Sequence, residues 1–209
     1  MCIRDSITEN ALPLLEERST PEDVQDDWIT NFFDKSRVVS DADMQQLWAR
    51  VLAGEANKPG SFAKRTVNLL ADLDKSDAEL FVQLCGFGWL LSDVVPLVFD
   101  VQDEIYNKNG INFNSLAHLE ALGLIQFSGV GGFRRLRLPK AILVFYYGQP
   151  ITLTFPKDND NELEIGNVLL TRAGQQLARV CGSTPVSGFF EFVYDRWAER
   201  SLVPKREAE

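Results

Sequence analysis

The segment Leu47-Trp48-Ala49-Arg50-Val51-Leu52-Ala53-Gly54-Glu55, with Lys58-Pro59-Gly60-Ser61-Phe62 and Arg65-Thr66 after it, constrains the fold of this chain most. Met44, Leu47, Trp48, Val51 and Leu52 recur at helical spacing and form one apolar face. Gly54 and Asn57-Lys58-Pro59-Gly60 end that helix, because proline removes a donor and glycine accepts a positive φ. Ser61 is placed to cap the next helix, whose apolar face is Phe62, Val67, Leu69, Leu70 and Leu73. The block thus reads as a helical hairpin with Trp48 and Phe62 in the core and Arg50 and Glu55 paired locally. Arg50, Glu55, Lys58 and Arg65 also surround the Pro-Gly turn, which makes them a candidate partner surface.

Two further helix starts flank this hairpin. In Thr20-Pro21-Glu22-Asp23, Thr20 is placed to cap, proline suits the first helical position and the acids favour the positive end of the dipole. Val24, Trp28, Ile29, Phe32 and Phe33 supply its stripe, and Ser40-Asp41 opens the helix that follows. Ser76-Asp77-Ala78-Glu79 is a capping-box pattern ahead of Leu80, Phe81 and Leu84. Four helices on short turns predict an antiparallel helical region over residues 20–105. Residues 1–19 read as a polar lead-in, weakly helical through Leu12, Leu14 and Leu15, whose first residues have the character of a truncated or artefactual start.

After Gly86 the pattern changes. Gly88 to Val101 mixes β-branched and aromatic residues around Pro96 and is compatible with strand and helix alike. Asn112 to Leu122 predicts a short helix closed by Gly123, leading into a strand at 124–127. Strand-like runs follow at 135–138, 142–147, 151–155 and 162–169, with a hairpin turn at Gly148-Gln149-Pro150. Thr171 caps another helix, and a closing amphipathic helix over 187–200 carries Phe189, Phe190, Phe192, Val193 and Trp197. That helix is expected to return to the helical half and fasten it. The expected fold class is α+β, mainly α, with a small antiparallel sheet in residues 106–200 and a polar tail at 201–209.

Charge divides the chain unevenly. Residues 1–110 carry 10 basic and 20 acidic side chains, whereas residues 111–209 carry 11 and 10. Within 111–157 the acid Glu120 faces Arg134, Arg135, Arg137, Lys140 and Lys157. An acidic protein is repelled by nucleic acid as a whole, yet this basic segment retains the means to touch phosphates. The longest apolar stretch, Phe87 to Phe99, is broken by Asp93 and Pro96, so no transmembrane helix and no membrane partner are expected. The three cysteines at 2, 85 and 181 share no metal or redox spacing, and a cytoplasmic setting without a disulfide framework follows.

Candidate chemistry is sparse. Arg134, Arg135, Arg137 and Lys140 follow the Gly-rich turn 129–132, where they are placed for nucleic-acid or partner contact. The Asn112–Leu122 helix ahead of them has no Lys or Arg, which disfavours base reading. His118, the single histidine, has no acid committed to it and reads as structural. Asp158, Asp160, Glu162 and Glu164 alternate as a solvated edge that discourages strand pairing, without the spacing of a calcium loop. No triad, nucleophile elbow, phosphate-binding loop or metal set is present in the sequence, so neither enzymatic activity, cofactor nor small-molecule substrate is expected.

The combination Trp28, Phe32-Phe33, Leu47-Trp48-Ala49, Leu52-Ala53-Gly54-Glu55, Pro59-Gly60-Ser61-Phe62 and Arg65-Thr66 resembles the bacterial family called domain of unknown function 2806. Leu122-Gly123-Leu124-Ile125 and Leu170-Thr171-x-x-Gly174 fit the same resemblance, which spans roughly residues 20–200. It implies a bacterial, cytoplasmic protein and carries no catalytic residue. The order helix, Leu-Gly-Leu-Ile, strands, Leu-Thr-x-x-Gly, helix is also similar to the end of a winged-helix module. Together these readings favour a non-enzymatic interaction or regulatory protein acting on a protein partner or a second copy. The alternatives are a DNA-binding winged-helix regulator using Arg134 to Lys140, and an effector of a bacterial defence or stress system.

Overall fold

Apolar periodicity becomes helix throughout the first part of the computed structural model, which describes residues 3–205. The helices are α1 (Ile3–Ala11), α2 (Asp26–Ser36), α3 (Ala42–Asn57), α4 (Lys64–Ala71) and α5 (Lys75–Cys85). The supposed lead-in is part of the fold: α1 lies along α3 and its Ile7 is 0% exposed. The start expected at Ser40-Asp41 is found, with Asp41 as the cap accepting from the amides of Asp43 and Met44. Three other starts move. Thr20 makes no side-chain cap, Pro21–Asp23 forms only a 3-10 turn, and α2 begins at Asp26. Ser61 turns back to the Lys58 carbonyl, so Phe62 sits in the turn and α4 opens after Ala63. The capping box of α5 lies two residues earlier, with the Asp77 carboxylate accepting from the Asp74 amide. Gly54 does not end α3; a Cβ there would come within 2.8 Å of the Phe62 ring, so the glycine makes room for that ring.

The undecided stretch after Gly86 is a hairpin of β1 (Gly88–Leu91) and β2 (Asp93–Pro96), followed by the short α6 (Glu104–Asn107) and by α7 (Phe113–Ala121). The remaining strands are β3 (Ile125–Phe127), β4 (Phe133–Leu138), β5 (Ala141–Tyr146), β6 (Gln149–Thr154), β7 (Asn161–Gly166) and β8 (Val168–Leu170). They pair antiparallel in nested order, β3 with β8, β4 with β7, and β5 with β6. The result is one long arm, bent where register shifts flank Arg134 and Arg137. Its tip is Tyr147-Gly148, with φ of +45° and +84°, as a two-residue type I′ turn requires. The turn therefore falls one residue earlier than expected, and Gln149 and Pro150 belong to a strand. At its tip the arm folds back so that β5 pairs with β1 through Leu90 and Phe145, giving a sheet ordered β2-β1-β5-β6.

The chain closes with α8 (Arg172–Ala178) and α9 (Phe189–Glu199). Thr171 caps α8 through the Gly174 amide and also donates to the Gly123 carbonyl. A Cβ on Gly174 would stand 2.1 Å from the Leu124 oxygen, so α8 approaches the entrance to β3 as closely as backbone allows. The Leu-Gly-Leu-Ile and Leu-Thr-x-x-Gly motifs are thus two sides of one contact, with Ile125 paired to Leu170. The closing helix reaches back to Phe87 and Trp89, just past α5 in the stretch 20–105. Its Phe189 packs on Phe87, Tyr106 and Tyr146, and its Trp197 on Trp89, beneath the inner face of the sheet. Buried residues from Ile7 to Val203 form a single contiguous core that runs through both the helical and the strand-rich stretches. The fold class is α+β, mainly α, with small antiparallel sheets.

Candidate functional site

The helical-hairpin residues serve the fold. Trp48 and Phe62 are buried, and Trp28 Nε1 donates to the Phe62 carbonyl at 2.7 Å. Glu55 is 2% exposed and accepts from the amides of Gly60 and Phe62 at 2.7 and 2.8 Å. Arg50 reaches instead to the carbonyls of Val180 and Cys181 at 3.2 and 2.9 Å, so Arg50 and Glu55 do not pair. Lys58 and Arg65 are exposed. A surface cleft of about 430 Å³ lies beside Arg50, Lys58, Phe62, Gln176 and Gly182, while Arg65 stands outside it.

The basic residues of the arm meet carboxylates. Arg134 pairs with Glu162 at 3.4 Å, Arg135 with Asp93 at 3.9 Å and Lys140 with Asp158 at 2.7 Å. Arg137, exposed at a bulge with φ of +58°, makes no ion pair among the described residues. Glu164 takes Arg196 and Arg200. The acids expected only to be solvated are thus largely partners of nearby cations. His118 does have an acid partner: its Nε2 lies 2.7 Å from Asp77 Oδ1, which the fold brings from α5. Among the described residues, no group of three or more His, Cys, Asp or Glu side chains is placed to hold a metal ion.

Sequence spacing missed the association of Cys85 with Cys181. Cys85 ends α5, and Cys181 lies just past α8. Both thiols are free and buried, the Cys181 thiol donates to the Ala178 carbonyl at 3.5 Å, and each thiol acts on the titration of the other. Gly182, at φ of +78°, turns the chain around Arg50, and a Cβ there would fall 2.3 Å from Nη1. Tyr147 at the arm tip donates to the Cys85 carbonyl at 3.2 Å and lies 2.7 Å from Ser183 Oγ. Hydrogen bonding from Cys85, then from the Ser183 amide and hydroxyl, with the Arg50 charge, draws the Cys181 thiol down to about 7 against the cost of burial. Burial pushes the Cys85 thiol well up. No local sequence signal joins these two positions.

The outer face of the β2-β1-β5-β6 sheet is uncharged. Strand alternation and register place Val94, Leu90, Phe145, Leu143, Pro150 and Thr152 on it, with Leu90 44% and Leu143 54% exposed. Both sheet edges are blunted. Gln175 exchanges two hydrogen bonds with the Val94 backbone, Pro150 removes a donor from β6, and the Leu202 carbonyl takes the Thr154 amide. Among the described residues no helix is long and apolar enough to cross a membrane.

No curated protein and no solved structure matches the chain. A family model described as "protein of unknown function (DUF2806)" matches residues 4–193, so the match takes in α1 and reaches into α9. Over that span, which holds the helical hairpin, the arm and the Leu124–Gly174 contact, the chain belongs to the family of domain of unknown function 2806.

Proposed function

We propose that the protein is a non-enzymatic interaction or regulatory protein that works through protein–protein contact in a bacterial cytoplasm. The observation that carries this reading is the uncharged outer sheet face around Leu90, Leu143 and Phe145. Exposed apolar side chains grouped on one rigid face lose little entropy on docking and bring apolar area out of water. With both edges of the sheet blunted, contact through the face is favoured over strand addition. The occupant we favour is a second copy of the chain, since such a face, uncharged on both sides, leaves no buried charge unpaired. Light scattering after size-exclusion chromatography tests this: a dimer is expected, lost in Leu90→Glu and Leu143→Glu. A strict monomer over a wide concentration range, together with pull-downs that recover nothing, overturns it.

The stretch 106–200 supports a winged-helix-like reading in its order of α7, β3, β8 and α8, the wing being drawn out into the arm. The DNA-binding alternative loses ground because Arg134, Arg135 and Lys140 already meet carboxylates. Salt-sensitive duplex binding that weakens when Arg134, Arg135 and Arg137 become alanine is what would restore it.

A further inference from the structure

We propose that Cys85 and Cys181 form a reversible redox site, at which a hydroperoxide converts the thiol pair to an intramolecular disulfide. This goes beyond the docking reading and does not depend on it. The two cysteines come from distant parts of the chain, lie on segments that the Tyr147 hydroxyl joins through the Cys85 carbonyl at 3.2 Å and Ser183 Oγ at 2.7 Å, and are only 2% and 5% exposed. Each is nevertheless reached from the surface by its own cleft. One of about 350 Å³ is lined by Cys181 together with Arg50, Met44, Leu47 and Lys75. Another of about 250 Å³ is lined by Cys85 together with Leu90, Phe145, Tyr147 and Ser183. A small oxidant thus has a path to a pair that is otherwise shielded from bulky thiols and proteins.

The surroundings divide the roles. The Cys85 and Ser183 groups, with the charge of the Arg50 guanidinium held 2.9 Å from the Cys181 carbonyl, favour the Cys181 thiolate, so Cys181 is the sulfur that reacts. Cys85 stays protonated in its apolar burial and serves as the resolving thiol. In the first step the Cys181 thiolate attacks one peroxide oxygen. The S–O bond forms, the O–O bond breaks, two electrons leave sulfur, and the other oxygen departs with a proton as alcohol or water. In the second step the Cys85 sulfur attacks the sulfenic sulfur. The S–S bond forms, the S–O bond breaks, and hydroxide leaves with the Cys85 proton as water. A low-molecular-weight dithiol returns both thiols by exchange. The cross-link would tie the end of α5 to the turn after α8, directly under the arm tip.

The test treats the full-length wild-type protein with hydrogen peroxide and maps its peptides by mass spectrometry without reduction. A Cys85–Cys181 linked peptide that disappears with dithiothreitol is expected. Cys181→Ser should consume peroxide at least tenfold more slowly, and Cys85→Ser should leave a Cys181 sulfenic acid that dimedone captures. Retention of both thiols under excess peroxide in the wild type overturns the proposal, as does a linkage that runs through Cys2. Because the peptide map is read on the wild type, a variant that fails to fold does not spare the proposal.

Discussion

Glu55 illustrates how single residues act here. Its carboxylate sits in the core yet satisfies two turn amides, that of the exposed Gly60 and that of the buried Phe62, which would otherwise lack an acceptor. Glu55→Ala is expected to lower stability by about 3 kcal/mol, and Glu55→Gln by roughly half of that, in urea unfolding. A loss below about 0.5 kcal/mol for the alanine variant would show that water replaces the carboxylate. Gly174 acts through absence of a side chain: the Leu124 oxygen occupies the space a methyl needs. Gly174→Ala should cost about 1–3 kcal/mol and shift the thermal midpoint downward, whereas an unchanged midpoint would mean that α8 slides without penalty.

At the level of elements, α3 is anchored at its start by Asp41. The Met44 amide, then the Lys75 ammonium, hold the Asp41 carboxyl below its ordinary value. A depressed folded value means that the contribution is fully present above the unfolded value near 3.8 and is lost as pH falls through the folded one. Asp41→Asn should therefore flatten the acid limb of stability against pH below about 4, which thermal melts across that range would read. The arm is fixed at its far end by Tyr147, whose hydroxyl spans Cys85 and Ser183. Tyr147→Phe is expected to cost about 1 kcal/mol and to speed amide exchange in β5 and β6. Equal exchange rates in both proteins would show that the turn alone holds the tip. Substituting Arg134, Arg135 and Arg137 together should alter stability little, since exposed ion pairs contribute about 0–1 kcal/mol each.

Across the whole molecule, one core links the helices to the strand-rich stretch, so changes at distant positions are expected to unfold the chain in one transition. Unfolding curves followed by far-ultraviolet and tryptophan signals should coincide, and separated midpoints would reveal two independently folding regions. The outer sheet face stands apart from this core. Leu143→Glu should leave the thermal midpoint nearly unchanged while abolishing self-association, which separates a docking role from a packing one.

Much of the fold was legible because local spacing writes it. The stripe on α3, the Asp41 and Thr171 caps, the strands of the arm and the burial of Trp48 and Phe62 all follow from neighbours within a few residues. Helix starts were misplaced where a plausible cap, Thr20 or Ser61, had its hydroxyl or backbone engaged otherwise by the turn around it. What only tertiary structure decided are encounters between remote segments: Arg50 with the Val180 and Cys181 carbonyls, His118 with Asp77, the arm cations with their acids, and Cys85 with Cys181. Periodicity records which face a residue turns inward, and it carries no information on which distant residue waits there. The site that emerged is of that second kind, assembled by the close approach of α8 to β3 and by the return of the arm tip to α5.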